Sequence, residues 1–253
     1  MNKEQILDRL RSLPGEIGFY YKDLTTGEMI TLREDDLFES ASVIKLPIFA
    51  AVMSWCADGR TDLREKIFFY DEDKQPSCGA LQFFPAPMAV EIETLCKLMI
   101  TISDNTATNV MIRYFGMKKF NERFRELGIA QSRIERYLFD AEAASCGLEN
   151  RVTPRDMGEL LEKIYRRTLI SEETSAFMED VLRRQQIKHK TRGYLPRSIP
   201  GANKTGEDDG ITNDVAIIFA EKPFVICFLS NRTDVPEAER AIREITLELT
   251  KNA

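Results

Sequence analysis

The chain has 253 residues, 43% hydrophobic and 30% charged, the composition of a folded globular protein with room for one large domain or two lobes. A net charge of −6 gives no support for nucleic acid as a partner, and no stretch has the roughly 18 uninterrupted apolar residues of a membrane span. Five dispersed cysteines without a CxxC pair and a single histidine argue against a zinc ribbon, a disulfide scaffold or a tight transition-metal site.

The hydrophobic periodicity predicts an order of helices and strands along the chain. A helix ends before Pro14-Gly15, and a β-hairpin that turns at residues 23–27 follows it. Further helices are predicted over 43–58, 91–101, 106–115, 118–127 and 171–186, with one that Thr153 caps and a last one over about 236–251. Residues 129–153 have no clean period and predict a long loop, whereas the apolar runs 214–220 and 224–230 predict strands.

This order predicts an α+β fold in a single domain over residues 1–253. Strands from both chain ends would pair in one antiparallel sheet flanked by helices, which gives an α/β lobe from about 1–45 and 187–253. The helical middle, about 46–186, would form a second, all-helical lobe.

The N-terminal segment MNKEQILDRLRSL lacks the basic stretch followed by an apolar one that marks a secretory signal. As the sequence stands, it predicts a cytoplasmic protein. An extracellular or periplasmic location is expected instead if the N-terminus was trimmed. The sequence leaves the oligomeric state open.

Lys45 interrupts an otherwise apolar run, FESASVIKLPIFAAVM, at residues 38–53. Burying an ammonium group is costly unless it is paired or its pKa falls, so Lys45 lies either on a helix surface or in a site for chemistry. Ser42 lies three residues earlier, and residues at i and i+3 share a helix face. A serine needs a neighbouring base to act as a nucleophile, and a lysine of lowered pKa is such a base. At a helix N-terminus, backbone N–H groups would also favour a developing oxyanion.

Other catalytic arrangements lack support in the sequence. The only histidine, His189, would have to serve any Ser-His-Asp or Cys-His site, and no GxSxG motif precedes it. No glycine-rich phosphate-binding motif is present. If the chain is an enzyme, its base is therefore a lysine or a carboxylate. The basic run around this histidine, residues 183–192, is either a local basic patch for a ligand or a solvated helix end or loop, and the second interpretation is favoured.

Two further polar motifs have both a structural and a chemical interpretation. Ser103-Asp104-Asn105 interrupts a helical region, either as a helix cap or as a hydroxyl that relays protons and an amide that holds a substrate amide. Lys204-Thr205-Gly206 precedes a predicted strand. It is either a polar turn or a cation and hydroxyl that bind a carboxylate, with a glycine that permits close backbone approach.

In this order, SxxK at Ser42, SDN at Ser103 and KTG at Lys204 resemble the signature set of class A β-lactamases and penicillin-binding proteins. Ser103 lies 61 positions after Ser42, and Lys204 lies 99 positions after Asn105, spacings similar to those of that family. The predicted contexts, a helix start, an interhelical loop and an edge strand, also match. The segment RVTPRDMGELL is similar to the one that leads into the helix after the family's omega loop. The resemblance extends over most of the chain and implies a β-lactamase/transpeptidase-like fold.

The resemblance implies acyl transfer through an acyl-enzyme, without metal or cofactor. Ser42 would be the acyl-accepting nucleophile and Lys45 its activating partner. Ser103 would relay a proton to the leaving nitrogen, and Asn105 would hold the side-chain amide of the substrate. The implied partner is a small β-lactam or peptidoglycan-like molecule.

The resemblance also implies a binding site around the KTG motif. Lys204 and Thr205 would bind the substrate carboxylate, with Gly206 between them and the oxyanion hole. That hole would consist of the N–H groups of Ser42 and Glu207.

The sequence departs from the family in the omega loop, where class A enzymes carry a glutamate in an ExxLN setting that activates water for deacylation. Here the stretch is RIERYLFDAEAASCGLENRVTP, and alignment on Arg136 places the glutamate position near Leu138. Asp140 and Glu142 are the candidates for a shifted base, and Glu149 is a third; each is otherwise a solvated loop carboxylate. Without such a base, hydrolysis of the acyl-enzyme would be slow.

Three functions therefore remain open. The first is a class A-like β-lactamase, weak if the base is absent. The second is a DD-peptidase or esterase on the same scaffold. The third is a penicillin-binding or sensor domain that is acylated without turnover.

Overall fold

The structure is a computed structural model that describes residues 1–252. Its α-helices are α1 Lys3–Arg11, α2 Lys45–Ala57, α3 Ile92–Thr101, α4 Asn105–Phe115, α5 Met117–Glu126, α6 Ala141–Ser145, α7 Pro154–Tyr165, α8 Glu172–Arg183 and α9 Val235–Asn252. Its strands are β1 Glu16–Asp23, β2 Met29–Leu32, β3 Phe38–Glu39, β4 Lys66–Phe69, β5 Met88–Glu91, β6 Arg151–Val152, β7 Gly201–Asp208, β8 Ile211–Ile218 and β9 Phe224–Asn231. Within this part of the chain, no helix is both long enough and apolar enough to cross a membrane.

Strands from the two ends of the chain form one antiparallel sheet in the order β2-β1-β9-β8-β7. β1 pairs along its length with β9, and β7 pairs with β8 so that Lys204 lies opposite Val215. The KTG motif therefore lies inside the edge strand β7 and precedes β8, so the expected edge-strand context is present and the alternative of a polar turn is wrong. The stretch GANKTGED has few β-branched or aromatic residues, so its strand conformation depends on pairing with β8.

The sheet is buried on both faces. Along β9, Phe224, Ile226 and Phe228 belong to a cluster that includes α1 and α9, while Val225 and Cys227 belong to the cluster of the central helices. This alternation follows from the two-residue period of a strand. Burial on both faces explains the continuous apolar runs in β8 and β9.

The start of α2 differs from the prediction. Residues 41–44 form a 3₁₀ turn, and α2 begins at Lys45 rather than at residue 43. Ser42 and Lys45 still meet, because side chains at i and i+3 eclipse one another in a 3₁₀ turn. Elsewhere the capping prediction is confirmed, since the side chain of Thr153 accepts the N–H of Asp156 at the start of α7.

The predicted loop 129–153 contains two short elements, the helix α6 and the strand β6. β6 pairs with β3, which brings Phe38 opposite Val152. Asp140 caps α6 by accepting the N–H of Ala143 at 3.0 Å. The prediction missed both elements because two to five residues are too few to display a hydrophobic period.

Candidate active site

Ser42 lies in the 3₁₀ turn that leads into α2, directly beside the edge strand β7. A Cβ atom on Gly206 would lie 2.8 Å from the backbone oxygen of Ser40 and 3.1 Å from the backbone nitrogen of Ser42. A side chain would not fit between these backbones, so the KTG motif needs its glycine for this approach. The close contact places the Ser42 hydroxyl between α2 and the KTG strand.

Lys45 is fully buried, and oxygen atoms surround its amine. Nζ lies 2.9 Å from Ser42 Oγ and 2.7 Å from Asn105 Oδ1. It lies 2.8 Å from the backbone oxygen of Ser103 and 3.0 Å from Ser103 Oγ. These contacts explain how an amine is tolerated inside an apolar run, because each one offsets part of the desolvation cost.

The environment of Lys45 also favours its neutral form. Burial holds the pKa of Lys45 well below its usual range, and the positive charge of Lys204 lowers that pKa further. A neutral amine can accept the proton of a serine hydroxyl within hydrogen-bond distance. Ser42 and Lys45 therefore have the distance and the environment that a serine nucleophile and a lysine base require.

Ser103 connects two lysines in the break between α3 and α4. Its Oγ lies 3.0 Å from Lys45 Nζ and 3.1 Å from Lys204 Nζ. Its φ of +57° falls in the left-handed region that serine seldom adopts. Asp104 holds this break in place, since it caps α4 by accepting the N–H of Ala107. The backbone strain is thus located at the residue that bridges the two amines.

Lys204 is buried at the same site and donates to the backbone oxygen of Thr205 at 2.7 Å. Burial lowers the pKa of Lys204 to about 7; the Asp214 carboxylate opposes this shift and the charge of Lys190 adds to it. Asp214 is itself buried on β8 and accepts hydrogen bonds from Thr191. The cation of the KTG motif therefore titrates close to neutral pH.

We expect the protein to become more stable as the pH rises above about 7, through Lys204. An unfolded lysine has a pKa of about 10.4, so between about pH 7 and pH 10 the unfolded chain binds one more proton at this residue than the folded chain. Its contribution to the free energy of unfolding then increases by up to about 1.4 kcal/mol per pH unit. We expect the free energy of unfolding, measured by urea denaturation at several pH values in this range, to rise less steeply with pH for Lys204→Met than for the wild type.

The matched control is Lys188→Met, which removes an exposed lysine from the segment between α8 and β7. It should leave the slope of stability against pH unchanged. Equal slopes for the wild type and Lys204→Met would contradict the lowered pKa of Lys204.

A cleft of about 230 Å³ lies over these groups. From the three motifs, its lining includes Ser42, Ser103, Asn105, Thr205, Gly206 and Glu207. The amide of Asn105 is already engaged, because Oδ1 contacts Lys45 and Nδ2 donates to the backbone oxygen of Pro76 at 2.9 Å. A substrate amide would therefore share this side chain with two existing partners.

The segment 129–153 forms the opposite wall of the cleft. Arg136 Nη2 lies 2.8 Å from Glu149 Oε2, and Asn150 Oδ1 accepts the N–H of Arg136. Leu138 is held by Asn109, which accepts its N–H at 2.9 Å and donates to its backbone oxygen at 3.0 Å. The backbone at Leu138 is therefore fixed where its side chain lines the cleft.

The five cysteines are free thiols, and Cys78 contributes to the lining of the cleft. Among residues 1–252, the structure contains no group of three or more His, Cys, Asp or Glu side chains arranged to hold a metal ion. The polar groups around Ser42 are hydroxyls, amines and an amide.

Comparison with known proteins identifies the family of this chain, because residues 2–253 match the model of the β-lactamase enzyme family. The chain belongs to that family. A β-lactamase of Streptomyces fradiae is 28% identical over 246 residues, which cover 91% of this chain and 79% of that protein. β-Lactamase FAR-1 of Nocardia farcinica is 27% identical over 93% of this chain and 76% of its own length.

Solved structures of β-lactamases and related proteins have the same fold. A β-lactamase from Sphaerobacter thermophilus is 27% identical with a TM-score of 0.89, covering 100% of this chain and 99% of that one. PBP-A is 26% identical with a TM-score of 0.90, and the match covers 99% of this chain and 94% of PBP-A. A leucine-to-glutamate mutant of PBP-A, solved as an acyl-enzyme complex with penicillin G, is 26% identical with a TM-score of 0.89. The match covers 99% of this chain and 95% of that one. They confirm the β-lactamase/transpeptidase-like α+β fold, and membership of the β-lactamase family supports a hydrolase of the serine β-lactamase kind.

Within this β-lactamase fold, the structure brings together the site residues of the three motifs. Asp140 and Glu142, the loop carboxylates proposed as a shifted base, lie outside the lining of their cleft. Asp140 caps α6 and lines a neighbouring pocket of about 370 Å³. Among the described residues that line the catalytic cleft, neither Asp140 nor Glu142 occurs. Glu149 does line the cleft, but its carboxylate is paired with Arg136.

Two buried ionisable residues beside this cleft were not predicted. Lys190 is fully buried, donates to the backbone oxygen of Gly206 at 3.1 Å and lies 3.2 Å from Glu207 Oε1. Its interpretation as part of a solvated basic run is therefore wrong. Asp214 directly precedes the apolar residues 215–218 of β8, and a carboxylate next to such a run was the available signal for a buried, paired group.

Proposed function

We propose that this protein opens β-lactam rings through an acyl-enzyme at Ser42 and releases the acyl group slowly. The observation that carries the proposal is the position of the Lys45 amine, fully buried and 2.9 Å from Ser42 Oγ. A neutral lysine in that position can act as the base for a serine nucleophile. Membership of the β-lactamase family supports the choice of substrate.

In the proposed acylation, Lys45 takes the proton of the Ser42 hydroxyl as Oγ attacks the carbonyl carbon of the lactam. The N–H groups of Ser42 and Glu207 stabilise the negative oxygen that forms. As the carbon–nitrogen bond breaks, the leaving nitrogen receives a proton through Ser103 Oγ. The contacts of this hydroxyl with both Lys45 and Lys204 support that relay.

Substrate binding in this proposal depends on the opposite side of the site. Lys204 and Thr205 bind the substrate carboxylate, and Gly206 allows β7 to approach the ring closely. Asn105 donates to the side-chain amide of the substrate. Since the pKa of Lys204 is about 7, carboxylate binding weakens as the pH rises above neutrality.

Slow release follows from the composition of the cleft wall. Leu138 occupies the wall, and a leucine cannot take a proton from water. Glu149 is paired with Arg136 at 2.8 Å, and Asp140 is committed to the cap of α6. The structural relative PBP-A, whose leucine-to-glutamate mutant carries penicillin G as an acyl-enzyme, supports a site that acylates readily.

The same cleft wall favours a second candidate, a DD-peptidase or esterase. A site that acylates without an efficient water-activating base can instead pass its acyl group to another acceptor. A binding or sensor domain that remains acylated is the third possibility.

A mass measurement after incubation with penicillin G, combined with a chromogenic cephalosporin assay, tests the proposal. We expect the wild type to gain the mass of one ring-opened penicillin and to turn over the cephalosporin slowly. The Ser42→Ala variant should show neither effect, because it lacks the nucleophile.

The other outcomes separate the alternatives. Ester turnover without cephalosporin turnover favours the peptidase or esterase, and a stable adduct without any turnover favours the sensor. A wild type that forms no adduct with any β-lactam or ester would contradict every catalytic function of Ser42.

A further inference from the structure

Charged side chains line the cleft beyond the proposed catalytic groups, and carboxylates dominate among them. The lining includes the carboxylates of Glu39, Glu149, Glu207 and Asp208, against the single guanidinium of Arg136 within the described part of the chain. Glu39 lies on β3, close in sequence to Ser42, while Glu207 and Asp208 end the KTG strand β7.

Two of these carboxylates are compensated by cations. Glu149 forms an ion pair with Arg136 at 2.8 Å, with both side chains mostly buried. Glu207 Oε1 lies 3.2 Å from the buried amine of Lys190 and 3.6 Å from His189 Nε2. Their negative charge is therefore largely offset within the protein.

The carboxylates of Glu39 and Asp208 have no such partner. Across residues 1–252, no cationic nitrogen lies within 4.0 Å of either one. Arg151 lies opposite Glu39 in the pairing of β3 with β6 but forms no ion pair with it. Asp208 is exposed, and its Oδ1 accepts only the backbone N–H of Asp209 among the described residues. Both carboxylates thus lie at the cleft without a direct ion pair.

We infer that this cleft selects acyl donors whose side chain beside the reacting carbonyl carries a positive charge, such as an ammonium group. The inference rests on the proposed function. A cleft wall of lower dielectric strengthens the field of Glu39 and Asp208 relative to open water, so an ammonium group is attracted and a carboxylate is repelled. The ring carboxylate common to penicillins binds elsewhere, at Lys204 and Thr205. Its contribution to the acylation rate is therefore the same for all penicillins that are compared.

Three penicillins that differ at one position test this inference. Benzylpenicillin has no charge on its side chain, ampicillin adds an α-ammonium and carbenicillin an α-carboxylate. We measure the second-order rate constant of acylation for each, at a pH at which the ammonium is charged. The rate is expected to be about threefold to tenfold higher for ampicillin than for benzylpenicillin, and lower for carbenicillin by a similar factor. The spread should shrink as salt is added.

Charge-neutralising variants assign the effect. Asp208→Asn and Glu39→Gln should each reduce the ratio of the ampicillin rate to the carbenicillin rate. Asp208→Lys should reduce it further. The matched control is Glu221→Gln, which removes an exposed carboxylate from the turn between β8 and β9. This turn follows Ile218, which pairs with Gly201 at the opposite end of β7 from Asp208. That control should keep the wild-type ratio.

The result that overturns the inference is a carbenicillin rate equal to or above the ampicillin rate, or a ratio that none of the cleft variants changes. Failure of the proposed function looks different, because benzylpenicillin itself would then fail to acylate Ser42.

Discussion

Replacing Leu138 by glutamate is expected to accelerate hydrolysis of the acyl-enzyme by about 10²- to 10⁴-fold, the usual contribution of a positioned general base. The side chain of Leu138 lines the cleft, and both backbone groups of this residue are bonded to Asn109. A carboxylate in this position would be held facing the acylated Ser42, where it can take a proton from the attacking water. The rate is measured as loss of the penicillin adduct by mass after the free drug is removed.

The matched control is Leu138→Gln, which has nearly the shape of glutamate but no basic carboxylate. It should release the acyl group no faster than the wild type. Equal release by the two variants would contradict the role assigned to the missing base. If the wild type turns over, single replacement of Asp140 and Glu142 tests the sequence-based candidates, and unchanged turnover in both would exclude them.

Replacing Lys45 by methionine is expected to slow acylation of Ser42 by about 10²- to 10⁴-fold. Methionine preserves much of the volume of the buried side chain but cannot accept the serine proton. The site offers Lys204 as another amine, but its side-chain contact is with Ser103 Oγ at 3.1 Å and not with Ser42. The measurement is the second-order rate constant of acylation by benzylpenicillin.

Lys45→Arg separates the base from the positive charge. A guanidinium stays protonated at all accessible pH values, so this variant should be as slow as Lys45→Met. An arginine variant that keeps most of the activity would show that Lys45 acts by its charge. Near-UV circular dichroism of both variants checks that the fold is retained.

The three motifs were predictable because each depends on short spacings that the fold preserves. Ser42 and Lys45 share one turn, and Ser103 falls in a break between two amphipathic helices that their periodicity reveals. The sheet was predictable in outline from apolar runs at the chain end. The start of α2 was displaced by two residues, because a 3₁₀ turn and the first turn of an α-helix have the same apolar pattern.

The remaining features depend on contacts between distant segments. Lys190 lies in a run of basic residues, and its burial follows only from its bonds to Gly206 and Asn213 on β7 and β8. The ion pair of Arg136 with Glu149 requires the folded segment 129–153, which has no period to predict its path. The lowered pKa of Lys204 needs burial and a neighbouring charge, neither of which a sequence spacing reveals.

The edge position of β7 has a consequence for how this site can diversify. One side of the strand pairs with β8, so its other side presents backbone N–H and C=O groups to whatever enters the cleft. Backbone groups are the same for every residue type, whereas the glycine beside the nucleophile is restricted by space. The exposed side chain of Asp208, at the end of the strand, can change without loss of the hydrogen-bonding edge. The backbone of this strand thus serves the reaction, while a side chain at its end affects substrate preference. Substrate preference can therefore change by single substitutions that leave the reaction intact.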